Sequence, residues 1–175
     1  QPGPRYNVAH VISPTGGLAE RYAKVHRVPF GEYVLFERSL PWLARWLRVL
    51  APVPGYSLSP GPRYHPVRVA GLPVGTPICF EDVVSDPCRR MDAALYVNLT
   101  NDGWYPGTSQ PIQHEQIARF RCVENRAPMA RAVNRGVSGF IDSTGRVIKR
   151  VRGEGGRVQG VAGVAVAELH RDPRW

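Results

Sequence analysis

Lysine is almost missing from this chain. Of 23 basic residues only Lys24 and Lys149 are lysines, and the rest are arginines. The bias reads as coding composition. It singles out the two lysines, because a compact ammonium and a planar guanidinium are not interchangeable at sites of chemistry. Cysteine is scarce too: Cys79, Cys88 and Cys122. An odd number with no Cys-x-x-Cys spacing excludes a disulfide framework and a structural zinc site, and nothing in the sequence favours a Cys88–Cys122 bridge. No uncharged run approaches the ~18–20 apolar residues that a membrane span needs. Internal repeats and low-complexity linkers are absent. Basic runs are absent as well, although the formal net charge is +9. The densest basic pairs, Arg89–Arg90 and Lys149–Arg150, are short. With no zinc-finger spacing and no RNP-like aromatic motif, nucleic acid is excluded as a partner. A preference for an anionic membrane surface stays open, since scattered arginines favour one.

What is present suits one globular domain. The chain has 175 residues, 43% apolar and 21% charged, enough for a packed core. It begins at Gln1 and not at Met, and its start does not resemble a secretory leader. The expectation is a processed chain or a piece of a longer one, with any anchor or export signal outside it.

Short apolar stretches alternate with turn chemistry. Residues 6–12 read as a strand closed by Ser13-Pro14-Thr15-Gly16-Gly17. Residues 41–50 place Trp42, Leu43, Trp46, Leu47 and Leu50 at helical spacing behind Pro41. A Pro/Gly-rich loop over 52–62 follows. Strands are expected over 67–70 and 74–80, around Gly71-Leu72-Pro73, then a short helix over 82–90 and a buried strand over 93–99. Residues 110–126 read as a helix with few breakers. Strands over 129–134, 137–141, 146–151 and 158–169 complete the chain. This alternation predicts an α/β layered fold.

Three segments carry chemistry. In the first, Lys24 and Glu32 flank a Pro29-Phe30-Gly31 turn. Gly31 permits a sharp turn that aims Glu32 back at Lys24, and a lysine so held is a point donor for a developing oxyanion. A weak surface ion pair gives the same pattern. In the second, Cys79 ends an apolar strand in Ile78-Cys79-Phe80-Glu81, ahead of a helix whose positive end would favour a thiolate. A buried structural cysteine is the plain alternative. In the third, Asn98 to Tyr105 takes a buried strand into small polar residues, Trp104 and Tyr105, either a pocket wall or an ordinary loop.

Together these segments resemble the nitrilase, or carbon–nitrogen hydrolase, superfamily. Within it they are most similar to the apolipoprotein N-acyltransferase family. The resemblance rests on Tyr22-x-Lys24-x-His26-x-Val28-Pro29-Phe30-Gly31-Glu32-Tyr33, on Ile78-Cys79-Phe80-Glu81, on Asn101-Asp102-Gly103-Trp104, on Gln113-His114 with Ala118, Arg119, Arg121, Glu124 and Arg126, and on Arg131-Ala132-x-Asn134-x-Gly136-Val137-Ser138. It runs from about residue 6 to about residue 151. Trp104-Tyr105-Pro106 departs from the family's usual Trp-Phe-Gly.

The resemblance implies an α-β-β-α sandwich of which residues 5–170 form an incomplete, C-terminal portion, with the N-terminal part and membrane helices absent. It implies a Glu-Lys-Cys trio with Cys79 as nucleophile, Lys24 as the lysine and Glu32 as a further catalytic glutamate. Phe80, Glu81 and Trp104 are expected at the substrate. The general-base glutamate of the family would lie before residue 6, outside this chain, which makes the isolated chain inert. The implied activity moves an acyl chain from a phospholipid to the cysteine and on to the N-terminal diacylglyceryl-cysteine of a bacterial lipoprotein. It needs no metal and no organic cofactor, and it takes place at the inner membrane, facing the periplasm. A soluble amidase of the same superfamily, or a non-catalytic binding protein on the same scaffold, are the competing readings. The apolar arm over 34–62 discriminates the first if it is exposed, and thiol reactivity at Cys79 discriminates the second.

Overall fold

The computed structural model describes residues 3–37, 39–47, 49, 57–104 and 107–173. The chain starts with an antiparallel hairpin, β1 (Val8–Ile12) and β2 (Leu18–Ala23), paired from Val8↔Ala23 to Ile12↔Leu18. Gly16 takes φ 86° in its turn, and Ser13 closes that turn by accepting from the Gly16 and Gly17 N–H groups. β2 was not expected. Its sequence, Leu18-Ala-Glu-Arg-Tyr-Ala23, buries only Tyr22, so no apolar alternation announces it.

The main sheet has six strands in the order β3 (Val67–Val69), β4 (Leu72–Gly75), β5 (Leu95–Asn101), β6 (Met129–Asn134), β7 (Gly139–Ile141) and β8 (Val147–Arg150). β4–β5 and β5–β6 pair in parallel, and the other neighbours are antiparallel. Each parallel pair needs a crossover. The first runs through a 3₁₀ turn, Cys79–Asp82, and helix α2 (Ser85–Met91), and the second through helix α3 (Gln110–Asn125). Both crossovers leave from the carboxyl ends of central strands, where sites collect in α/β sheets.

The core lies between these crossovers and the sheet. Val67, Val74, Tyr96, Met129 and Ile141 from strands meet Cys88, Met91, Ala118 and Cys122 from helices. Tyr96 donates its hydroxyl to the Cys88 carbonyl at 2.8 Å. Its ring lies over Gly75, where a Cβ would come within 2.6 Å of it, so only glycine fits there. The expected α/β class is the one that forms.

Several expected elements differ. The strand expected over 74–80 stops at Gly75, because Pro77 has no N–H to donate and Cys79 turns the chain with φ 51°. Only an isolated bridge, Ile78↔Leu99, continues the pairing. No strand forms over 158–169. The one bridge there is Val137↔Gln159; Val164 and Val166 are 92% and 78% exposed while Val161, Ala165, Ala167 and Leu169 are half-buried, so the alternation half-covers one face without ladder pairing. Helix α1 (Pro41–Leu47) forms as expected, while Leu50 lies outside the described residues, as do 51–56 of the Pro/Gly loop and the Tyr105-Pro106 departure.

Candidate active site

Lys24 follows directly on β2 and is clamped by its backbone. Its N–H donates to the Asn7 carbonyl at 2.9 Å and its carbonyl accepts from Gly61 at 2.7 Å. The side chain is 1% exposed, and Nζ lies 2.7 Å from Glu32 Oε2. The contact is a buried ion pair, and no second acceptor for Lys24 Nζ stands within hydrogen-bond reach among the described residues. Glu32 also accepts from the Val28 N–H at 2.9 Å and from Asn7 Nδ2 at 3.5 Å. The Lys24–Glu32 pair is therefore buried and fixed, not a surface pair.

Cys79 opens the 3₁₀ turn in the left-handed region, φ 51°. A non-glycine residue held there costs on the order of 1 kcal/mol or more, and such outliers gather at functional sites. Sγ is 3.9 Å from the Asn101 carbonyl at the end of β5. Burial pushes the thiol pKa up, while the charge of Lys24 and the backbone of Asn101 and Phe80 pull it down, and burial wins. This corrects the expected electrostatics. The helix that was to favour the thiolate starts only at Ser85, and Lys24 takes that part.

Glu81 lies behind the site. It is fully buried. Oε1 accepts from Tyr22 Oη and Val25 N at 2.8 Å and from His26 N at 3.0 Å, and Oε2 accepts from Ile78 N at 2.9 Å. One carboxylate thus ties the segment after Lys24 to the residue before Cys79. It lines neither of the two cavities at Cys79. Burial and the neighbouring Glu81 charge push the Tyr22 hydroxyl pKa far up, so that proton stays on the phenol.

Cys79 faces two adjoining cavities. One, of about 290 Å³, is walled by Phe80, Val83, Asn101, Asp102, His114 and Ile117. The other, of about 200 Å³, is walled by Pro29, Phe30, Glu32 and Trp104. Phe80 and Trp104 lie in the walls beside Cys79. Phe80 also stacks on the His26 ring at 5.8 Å between centroids. Cys88 and Cys122 are buried free thiols away from these cavities. Burial pushes Cys122 up to about 12 and Cys88 up as well.

The sequence reading gave no role to a buried polar chain that borders the site. His114 Nε2 lies 2.5 Å from Asp82 Oδ1 and its Nδ1 lies 2.8 Å from Asp102 Oδ1. Arg131 Nη1 donates to Asp82 Oδ2 at 2.5 Å. With a carboxylate at each ring nitrogen, imidazolium is the form that donates twice. Its two carboxylates outweigh burial and push His114 up to about 9. Arg131 and His114 together overcome the burial of Asp82 and hold its carboxyl below the usual range. The bridge joins the turn that Cys79 opens to the end of β5. A signal existed: His114 sits on the one face of α3 that is buried, with Pro111, Glu115, Ala118, Arg121 and Cys122.

Among the described residues no helix is long and apolar enough to cross a membrane, and no group of three or more His, Cys, Asp and Glu is arranged to hold a metal ion.

A mixed sheet with a cysteine turn at its strand ends, beside a buried lysine–glutamate pair, places the chain in a known class. The carbon-nitrogen hydrolase family model matches residues 1–172, and the chain belongs to that family. Apolipoprotein N-acyltransferases from Geobacter metallireducens and Brucella melitensis are 36% and 35% identical to it, over 81% and 97% of this chain. The chain spans only 27% and 31% of the length of those relatives. Among solved structures, a carbon-nitrogen hydrolase from Helicobacter pylori has a TM-score of 0.61 at 18% identity, covering 83% of this chain and 53% of the other. An amidase from Nesterenkonia sp. AN1, solved as a mutant with acrylamide added at its active-site cysteine, has a TM-score of 0.58 at 17% identity, covering 82% of this chain and 52% of the other. These two show the shared fold.

Proposed function

We propose that this chain, as the later part of a catalytic domain spanning residues 5–170, transfers an acyl group through Cys79. The donor is a phospholipid, and the acceptor is the N-terminal amine of a diacylglyceryl-cysteine on a bacterial lipoprotein. The observation that carries this reading is the juxtaposition at Cys79: a thiol in a strained turn, a buried lysine ammonium whose charge acts on it, and two cavities that Cys79 lines. The relatives named apolipoprotein N-acyltransferase supply the substrate class.

Two displacements complete the reaction. The Cys79 thiolate attacks the ester carbonyl, with Lys24 and the Phe80 N–H as donors to the oxyanion. The C–O bond breaks, the lysophospholipid leaves as its alcohol, and a thioester remains. The lipoprotein amine then attacks the thioester, the C–S bond breaks, an amide forms and the thiol is restored. A general base must take the thiol proton and return it to the leaving alcohol. The nearby carboxylates are committed: Glu32 to Lys24, Glu81 to four donors, Asp82 to His114 and Arg131. Asp102 turns Oδ2 toward Gly136, where a Cβ would meet it at 2.3 Å. In this reading, as the family resemblance implies, the base is a glutamate contributed from outside these residues. Glu32 holds Lys24 in place.

Helix α1 favours a lipid over a small soluble amide. Trp42 and Trp46 are 71% and 72% exposed, and Phe36, Leu40 and Val49 are exposed beside them. Only Ala44 of the helix is buried, so this is not a core helix. Exposed tryptophans of this kind suit a membrane interface, and we place the domain at the bacterial inner membrane, facing the periplasm.

The test is mass spectrometry of the complete protein after incubation with phospholipid without acceptor. An acyl mass on the Cys79 peptide, lost in Cys79→Ala, is expected. The same mass on Cys88 or Cys122, with Cys79→Ala still active, overturns the reading.

A further inference from the structure

Beside the nucleophile lies a larger cavity, about 770 Å³, to which the mechanism above assigns nothing. Asp102 stands in the wall it shares with the 290 Å³ cavity at Cys79. Two arginines line it, Arg135 and Arg157. Both are exposed, and neither guanidinium has a hydrogen-bond or ion-pair partner among the described residues. Most other arginines near the site are engaged: Arg131 with Asp82, Arg150 with Glu115 and Arg119 with the Gly145 carbonyl. Among the described residues of the lining Asp102 is the one carboxylate; its Oδ1 faces the His114 ring, and no ion pair joins it to either arginine.

The two arginines are held together by the backbone. Gly160 donates to the Gly136 carbonyl at 3.2 Å, and Val137 bridges Gln159, which fixes the segment after Arg157 against the segment after Arg135. Gln159 Nε2 donates to the Thr108 carbonyl at 3.4 Å and pins the same segment to the loop before α3. Arg135 sits at φ 59°, and its stem packs on Gly103, one residue past Asp102. The first turn of the 16-residue helix α3 borders the cavity at Ile112 and adds the positive end of its dipole.

Two guanidiniums without ion-pair partners over a pre-formed cavity, against the single Asp102 carboxylate among the described lining residues, select a phosphate or phosphodiester. Planar forked donors pair bidentately with such oxygens. We infer that Arg135 and Arg157 bind the phosphate of the acyl donor's headgroup and so present its ester to Cys79. This rests on the reading of the donor as a phospholipid. Because the phosphate belongs to the donor and leaves with the lysophospholipid, the site acts in the first displacement and not in the second.

The experiment has two arms, both on the complete protein. In the first, acylation of Cys79 is followed with phosphatidylglycerol and with an uncharged para-nitrophenyl ester of the same acyl chain. Arg135→Ala and Arg157→Ala should each lower kcat/KM for the phospholipid by about ten- to a hundredfold, mainly through KM, with a much smaller loss for the neutral ester. Arg89→Ala, on the far exposed end of α2, is the control for charge alone and should leave the preference as it is. In the second arm, NMR titration with glycerol 3-phosphate should perturb Gly103, Gly136 and Gly160 amides in the wild type and not in the double variant. Inorganic phosphate is the comparison. A protein that acylates nothing but binds glycerol 3-phosphate through these arginines sinks the reading of the activity and keeps the anion site. Unchanged donor preference in both variants, or phosphate compounds bound equally by the double variant, overturns the inference.

Discussion

His114 joins Asp82 to Asp102: one ring nitrogen is 2.5 Å from the first carboxylate and the other 2.8 Å from the second. The pair spans the Cys79 turn and the end of β5, and both carboxylates are buried. With Arg131 the four groups sum to zero charge only while His114 is protonated. Its folded-state pKa is raised from 6.5 to about 9, on the order of 3 kcal/mol of preference for the charged form. A raised pKa stabilises the fold fully below the unfolded value, and that stability is lost as pH rises through the folded value. Unfolding of the complete protein in urea should therefore show stability falling between about pH 6.5 and pH 9. In His114→Gln the wild-type fall over that window should be absent. An identical slope in both proteins would remove the imidazolium from the fold's pH dependence.

Arg131 has one engaged nitrogen and two, Nε and Nη2, that are buried without a partner. It stands in the core to neutralise Asp82. Removing one member of a buried charge pair leaves the other uncompensated, at about 3–5 kcal/mol. Arg131→Met should therefore destabilise the protein by that order, and Asp82→Asn in the same chain should recover part of the loss. The coupling is read from a double-mutant cycle of urea unfolding. Additive single effects would mean that Asp82 is held by His114 alone.

Much of this architecture is legible in the sequence where apolar period and turn chemistry agree. Residues 129–134 become β6 with both ends as expected, and the helix over 110–126 ends one residue early. Lys24, Glu32, Cys79, Phe80 and Trp104 are recognisable as a set because they sit in short motifs around turns. The buried chain Arg131–Asp82–His114–Asp102 is not, because its members come from four separate segments and charged residues read as solvent-facing. Helix α3 makes the point. Its buried face includes His114, Glu115 and Arg121, each paired: Glu115 takes Arg150 through two contacts of 2.7 Å, and Arg121 takes Glu124. Hydrophobic periodicity cannot find a core face that is neutralised by partners far along the chain. The opposite error occurs at 158–169, where small apolar alternation half-covers one face but joins no strand ladder.

The two lysines separate cleanly. Lys24 is buried, with Nζ 2.7 Å from Glu32 Oε2 in an ion pair. Lys149 is at the surface and donates to the Val166 carbonyl at 3.0 Å. A guanidinium is larger and forked, and does not fit a site shaped for a point charge. Lys24→Arg should reduce acyl transfer by the complete protein at least a hundredfold, the order lost with one oxyanion donor. Lys149→Arg should leave it near wild type. Equal rates for the two variants would take Lys24 out of the mechanism.

Gly61 sets the position of Lys24 from behind. Its N–H donates to the Lys24 carbonyl at 2.7 Å, and a Cβ built on it would lie 2.0 Å from the Ala23 carbonyl oxygen and 2.8 Å from its carbon. Both obstacles are backbone, so alanine forces the end of β2 to move. Overpacking of this kind costs about 1–3 kcal/mol. The displaced residue is the neighbour of Lys24, and a misplacement of about 1 Å at a catalytic group costs on the order of a hundredfold in rate. Gly61→Ala should therefore lose turnover by about that factor while the protein remains folded. Gly3→Ala, with open space around its Cβ, should lose neither rate nor stability. The two are compared by thermal unfolding and by acyl transfer in the complete protein. Full activity in Gly61→Ala would show that Lys24 is placed by Glu32 alone, and that the contact of loop and strand behind it is packing without consequence for the chemistry.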